Sequence, residues 1–112
     1  MRKTFIALAL VVVAAAAAFV VPALAASSKT VKVVDTAFNP KTLTVKKGTK
    51  VTWKWTGALP HNVTVVSGPT KFHSATQTTG TFAQTLKKPG TYQIVCTIHK
   101  ALGMKMTIKV TK

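Results

Sequence analysis

The chain has 112 residues, with 16 lysines and arginines against a single acid, Asp35, for a formal net charge of +15, and one cysteine, Cys96. That length fits one domain, one acid excludes two-carboxylate glycosidase and aspartic-protease chemistry, and one cysteine excludes an internal disulfide or a four-cysteine zinc site. A hydrophobic content of 47 % excludes a disordered basic tail.

Residues 1–25 read as an address. Met1-Arg2-Lys3 is a short basic start, Phe5 to Val21 is an unbroken apolar run, and Pro22 breaks it. Ala23-Leu24-Ala25 then places small residues at −3 and −1 of a cut after Ala25, the pattern of a signal peptide for export. The alternative is a retained N-terminal membrane anchor, since 17 apolar residues reach the lower limit for a span. Pro22 and the Ala-x-Ala site favour cleavage. Residues 26–112 are then a single domain with 14 lysines, no arginine and Asp35, at a net charge of +13. A domain this small, without a disulfide, gains stability from a bound metal.

The remaining chain reads as strands. Thr30–Val33 and Thr42–Val45 alternate. Lys50–Trp55 alternates most clearly, with Val51, Trp53 and Trp55 inward and Lys50, Thr52 and Lys54 outward. This places the two tryptophans in a core rather than on a base-stacking platform. Strands are also predicted over Asn62–Val66, Thr81–Leu86, Thr91–Cys96 and Lys105–Val110. Turn signals fall between them at Asn39-Pro40, Lys47-Gly48, Gly57, Gly68-Pro69, Gly80, Pro89-Gly90 and Gly103. About seven to eight short strands with regular punctuation predict an all-β, two-sheet sandwich or a small barrel.

Two segments carry the chemistry. Cys96 ends one predicted strand and Met104 begins the next, so the Cys-x2-His-x4-Met loop can curl Cys96, His99 and Met104 around one point. His61, in Pro60-His61-Asn62-Val63, closes the set from a distant strand start. A thiolate, two imidazoles and a thioether form a soft donor set, and His₂Cys with a weak axial methionine describes a blue-copper electron-transfer site. Zinc is the competing metal, but structural zinc sites rarely use methionine. A buried structural cysteine and a histidine-activated nucleophile are the other uses of Cys96. All four donors in this order favour the metal. Covalent haem is excluded because no Cys-x-x-Cys-His occurs. His73 lies in a polar connection without metal-binding companions and is expected to be exposed.

The same residues resemble the cupredoxins, the type I blue copper family that includes plastocyanin, amicyanin and pseudoazurin. The match spans residues 26–112. It rests on Phe38-Asn39-Pro40, Leu43-Thr44-Val45 through Gly48-Thr49 to Val51-Thr52-Trp53, Pro60-His61-Asn62-Val63, and Pro89-Gly90-Thr91-Tyr92 leading into Cys96. The resemblance implies a Greek-key β-sandwich and one type I copper. It makes His61, Cys96 and His99 the equatorial ligands and Met104 the axial one. It gives Asn62, with Thr97 as partner, the role of tying the first-ligand strand to the Cys96 loop. It also implies that His99 shows a ring edge at an apolar end of the sandwich, where Leu59, Pro60, Ala101 and Leu102, with Ala58, form a rim for a redox partner. Lys100 and Lys105 beside that rim would steer an acidic partner.

The chain departs from the family in Ile98, where proline is frequent. Its His99-to-Met104 gap resembles plastocyanin and pseudoazurin, but the C-terminal helices of pseudoazurin are missing.

The expected function is that of an exported one-electron carrier, a monomer and not an enzyme, with copper storage or delivery as the alternative. A multicopper enzyme would need more histidines. A nucleic-acid binder would show arginine and a basic groove or helix. The lysines instead suit an acidic redox partner or an anionic envelope surface.

Overall fold

The computed structural model describes residues 27–112. The expected leader and cleavage site lie outside the described residues. Eight strands form in chain order among the described residues: β1 (Ser28–Val34), β2 (Ala37–Asn39), β3 (Thr42–Lys46), β4 (Thr49–Trp55), β5 (Thr64–Ser67), β6 (Thr81–Leu86), β7 (Gly90–Val95) and β8 (Lys105–Thr111). A single 3₁₀ turn, Lys100–Leu102, interrupts the β7–β8 connection. No helix among the described residues is long and apolar enough to cross a membrane.

The strands form two four-stranded sheets, ordered β2-β1-β4-β6 and β3-β8-β7-β5. Both are mixed. β1 runs parallel to β4 and β3 parallel to β8, while the other neighbours are antiparallel. This is the expected all-β sandwich. The period-two pattern of β4 sets its faces: Val51, Trp53 and Trp55 are buried, and Lys50 and Lys54 are exposed. A strand half-covered by a second sheet alternates in this way. Trp53 is fully buried and packs against Phe72 and Phe82, with ring centroids 5.9 and 5.8 Å away. Both tryptophans are therefore core residues.

Two segments differ from the sequence-based expectation. Ala37–Asn39 pairs with β1 as a short edge strand, where only the Asn39-Pro40 turn signal was legible. The strand expected from Asn62 starts at Thr64. Upstream of it the backbone is satisfied by the 70–77 connection instead. Val63 N–H donates to Ser74 Oγ at 2.9 Å, Ser74 N–H donates to Val63 O at 2.8 Å, and His61 and Gln77 exchange two backbone bonds at 3.0 Å. His73 bridges to Thr64 through the backbone and is exposed, as expected.

Pairing gathers the key loops at one end. The parallel β1–β4 pair ends together, with Val33 opposite Trp55 and Thr56 N–H donating to Val33 O at 3.0 Å. That register sets Asp35, in the β1–β2 turn, beside Gly57–Leu59. The β5–β7 pair sets Thr64 opposite Val95, so His61 and Asn62 arrive next to Cys96. The β7–β8 pair closes the loop that holds Cys96, His99 and Met104.

Candidate metal centre

Tyr92, Ile94 and Cys96 occupy alternate positions and are fully buried, so the strand periodicity itself aims the thiol inward. Beyond Cys96 the chain turns tightly. Leu102 N–H donates to His99 O and Gly103 N–H to Lys100 O, each at 2.9 Å, and Gly103 takes a left-handed φ of 86° to end the 3₁₀ turn. Cys96 N–H then donates to Met104 O at 3.1 Å, closing the loop on itself. Met104 is fully buried. His61 is fully buried too, and its carbonyl accepts a bond from Trp55 Nε1 at 3.2 Å.

Three donor atoms converge. His61 Nδ1 and His99 Nδ1 are 3.0 Å apart, and Cys96 Sγ lies 3.9 Å from the first and 3.7 Å from the second. Among the described residues, His61, Cys96 and His99 form a group able to hold a metal ion. The spacing suits a single ion bonded at about 2.0–2.1 Å to imidazole nitrogen and about 2.3 Å to sulfur. Donor chemistry narrows the metal further, since one thiolate and two imidazoles are the equatorial set of a blue-copper centre.

The comparisons agree. The family described as copper binding proteins, plastocyanin/azurin family, matches residues 25–111. The chain belongs to that family. It is 33 % identical over 119 aligned positions to amicyanin-alpha of Methylorubrum extorquens, covering 97 % of this chain and 100 % of the relative. It is 30 % identical over 86 positions to plastocyanin A/B of Petroselinum crispum, covering 65 % of this chain and 86 % of the relative. A solved Cu(I) structure of an amicyanin variant superposes with a TM-score of 0.66 at 26 % identity, covering 75 % of this chain and 82 % of that one. The fold is that of a cupredoxin, and its cofactor is one type I copper.

The cupredoxin's copper loops are tied together by Asn62. Its Nδ2 donates to Thr97 Oγ1 at 2.8 Å and to Thr76 Oγ1 at 3.2 Å. Its Oδ1 accepts from Thr97 N–H at 3.1 Å and from Thr64 Oγ1 at 2.9 Å. Asn62 and Thr97 are thus brought together.

Two inward methionines lie near the end of the loop. Met106 Sδ accepts the indole N–H of Trp53 at 3.4 Å, which engages it inside the core. Met104 is held by its carbonyl against Cys96.

Sequence reasoning missed one residue here. Asp35 Oδ1 lies 3.0 Å from His61 Nε2. The same oxygen accepts Leu59 N–H at 2.9 Å and Ala58 N–H at 3.0 Å. The Leu59 and Ala58 amides, and then the His61 ring, hold the Asp35 carboxyl below its ordinary range. The only available signal was its solitude: one acid among 14 lysines.

The end of the sandwich above the donors is apolar. Leu59 is 43 % exposed, Ile98 49 % and Leu102 68 %, and Ala58, Pro60 and Ala101 are exposed beside them. His99 is half-buried, whereas His61 is enclosed. Lys100 and Lys105 are exposed next to this rim.

Proposed function

We propose that this protein is an exported one-electron carrier, with copper held by His61, Cys96 and His99 and by Met104 as the axial donor. The observation that carries the reading is the convergence of two imidazole nitrogens and one thiol sulfur, 3.0 to 3.9 Å apart, under an apolar rim. When bound, copper supplies one-electron Cu(II)/Cu(I) chemistry.

The chain's residues supply the rest. Cys96 gives the strong thiolate ligand, and the buried position of its sulfur keeps water and oxidants away. His61 and His99 suit both oxidation states, and Asn62 holds their loops in one arrangement. Ligands held in one arrangement by these loops would suit both oxidation states of a bound copper with little movement. Met104 adds a weak thioether that tunes the potential without binding tightly. Of the two inward methionines it is the one whose sulfur Trp53 does not engage.

His99, half-buried beneath Leu59, Pro60, Ala101 and Leu102, is the exit for the electron. A small apolar patch suits a short-lived encounter. Lys100 and Lys105 steer an acidic redox protein to it, and the other lysines favour an anionic envelope surface. The protein acts as a monomer and is not an enzyme. Residues 1–25 supply the export signal, with cleavage after Ala25, and residues 26–112 form the working domain.

The test is repeated redox cycling of the copper-loaded protein in the presence of a Cu(I) chelator. A carrier cycles many times and keeps its copper. Rapid loss of Cu(I) to the chelator at each reduction would contradict this and identify a storage or delivery protein.

A further inference from the structure

We propose that Asp35 is a positioning residue for the copper centre: its carboxylate fixes which nitrogen of His61 faces the metal and sets a negative charge behind that ligand, favouring the oxidised state. The inference rests on the copper reading above.

The geometry is that of a carboxylate clamped in place. Oδ1 accepts the amides of Ala58 and Leu59 and faces His61 Nε2, while Oδ2 lies 3.1 Å from the Ala58 amide. Two backbone donors therefore set its position, not the torsions of a free side chain. Gly57 makes this possible. A Cβ there would lie 2.7 Å from Asp35 Cγ and 2.8 Å from Asp35 N. On the other side of Asp35, Thr36 holds a left-handed φ of 62°, which a β-branched residue seldom adopts. The turn is thus shaped from both sides to present this one carboxylate, and such local strain is commonest where function requires it.

The chemical consequence is direct. An ionised carboxylate only accepts hydrogen bonds, so His61 Nε2 must carry the proton. Nδ1 is then left as a lone pair aimed at His99 Nδ1 and Cys96 Sγ. His61 is fully buried, while the Asp35 side chain is 41 % exposed, so the carboxylate meets solvent on one side and the imidazole on the other. Hydrogen bonds to the outer nitrogen of a ligating histidine fix its tautomer and raise its basicity.

The charge matters as well. Asp35 is the chain's only acidic side chain, and its carboxylate oxygen lies 3.0 Å from His61 Nε2. All 14 lysines of the described segment are exposed. A thiolate-bound Cu(II) centre carries one more positive charge than its Cu(I) form. A negative charge nearby stabilises the former, and the lysines do the opposite.

The experiment compares the copper-loaded wild type with Asp35→Asn by spectroelectrochemistry. Asparagine keeps an acceptor oxygen near the same donors and removes the charge. The expected result is a retained blue band with a raised reduction potential. A loss of Cu(II) preference on the order of tenfold is a rise of about 59 mV for one electron. An unmoved potential with an intact blue band overturns the inference, because a carboxylate that merely anchors the loop would give that result. If Asp35→Asn does not fold, ¹⁵N NMR of the wild-type Cu(I) protein decides. A His61 Nε2 proton shifted far downfield by a charge-assisted hydrogen bond to Asp35 supports the inference, and one at the ordinary imidazole position overturns it. A wild type without a blue band would instead overturn the copper reading itself.

Discussion

Asn62 and Thr97 are joined twice across 35 residues of chain, by Nδ2 to Oγ1 at 2.8 Å and by the Thr97 amide to Oδ1 at 3.1 Å. One end of this clasp is next to His61 and the other next to Cys96. Asn62 is 6 % exposed, so truncating it strands several polar groups in a nearly dry place. Asn62→Ala is expected to cost about 2–3 kcal/mol of stability, read by urea unfolding of the metal-free protein. The copper form should also lose metal faster. Thr97→Val should cost less, since the Thr97 amide keeps its bond to Oδ1.

The two inward methionines separate the axial donor from a core packing residue. Met104→Leu is expected to keep copper and the blue colour but raise the potential, because the thioether that stabilises Cu(II) is gone. Met106→Leu should leave spectrum and potential close to wild type. It removes the acceptor of the Trp53 indole and should cost about 1–3 kcal/mol in thermal or urea unfolding. Exchanged outcomes would make Met106 the axial ligand.

Gly57 and Gly48 test close approach against conformational freedom. Gly48 has a φ of 89° and open space around its missing Cβ, so Gly48→Ala should cost about 1–2 kcal/mol through backbone strain alone. Gly57→Ala drives a methyl group into Asp35. It should cost about 1–3 kcal/mol by overpacking and also shift the copper spectrum, which Gly48→Ala should not do. Unfolding curves and visible spectra of the two variants give the comparison.

Much of this was legible in the sequence for identifiable reasons. The alternation of Lys50–Trp55 shows its buried face because β4 is covered on one side only. The Cys96–His99 pair is legible because the two side chains are local, lying in one connection between neighbouring strands. What escaped detection depends on distant pairing. Asp35 meets His61 only because β1 and β4 run in parallel register and end together, and no local pattern encodes that. The missing strand at Asn62–Val63 has the same origin: Ser74 and Gln77 take the backbone groups that a sheet neighbour would otherwise take. Ala37–Asn39 is simply too short for alternation to show.

The charge of the domain predicts how it exchanges electrons with small probes. With lysines around the rim and no acid on it other than the tethered Asp35, an anionic iron cyanide complex should react quickly and slow as salt rises. A cationic complex of similar driving force should react slowly and speed up with salt. Stopped-flow rates over a range of ionic strength check both. Lys100→Glu should weaken the dependence for the anionic probe. Leu102→Ser should slow electron self-exchange between copies of the protein by removing apolar contact at the rim.

The most direct measurement is the visible spectrum of the protein after addition of Cu(II), beside that of Cys96→Ser. An intense blue thiolate-to-copper band in the wild type, absent from Cys96→Ser, is the predicted result. A colourless wild type, or one that retains zinc in place of copper, would contradict the account.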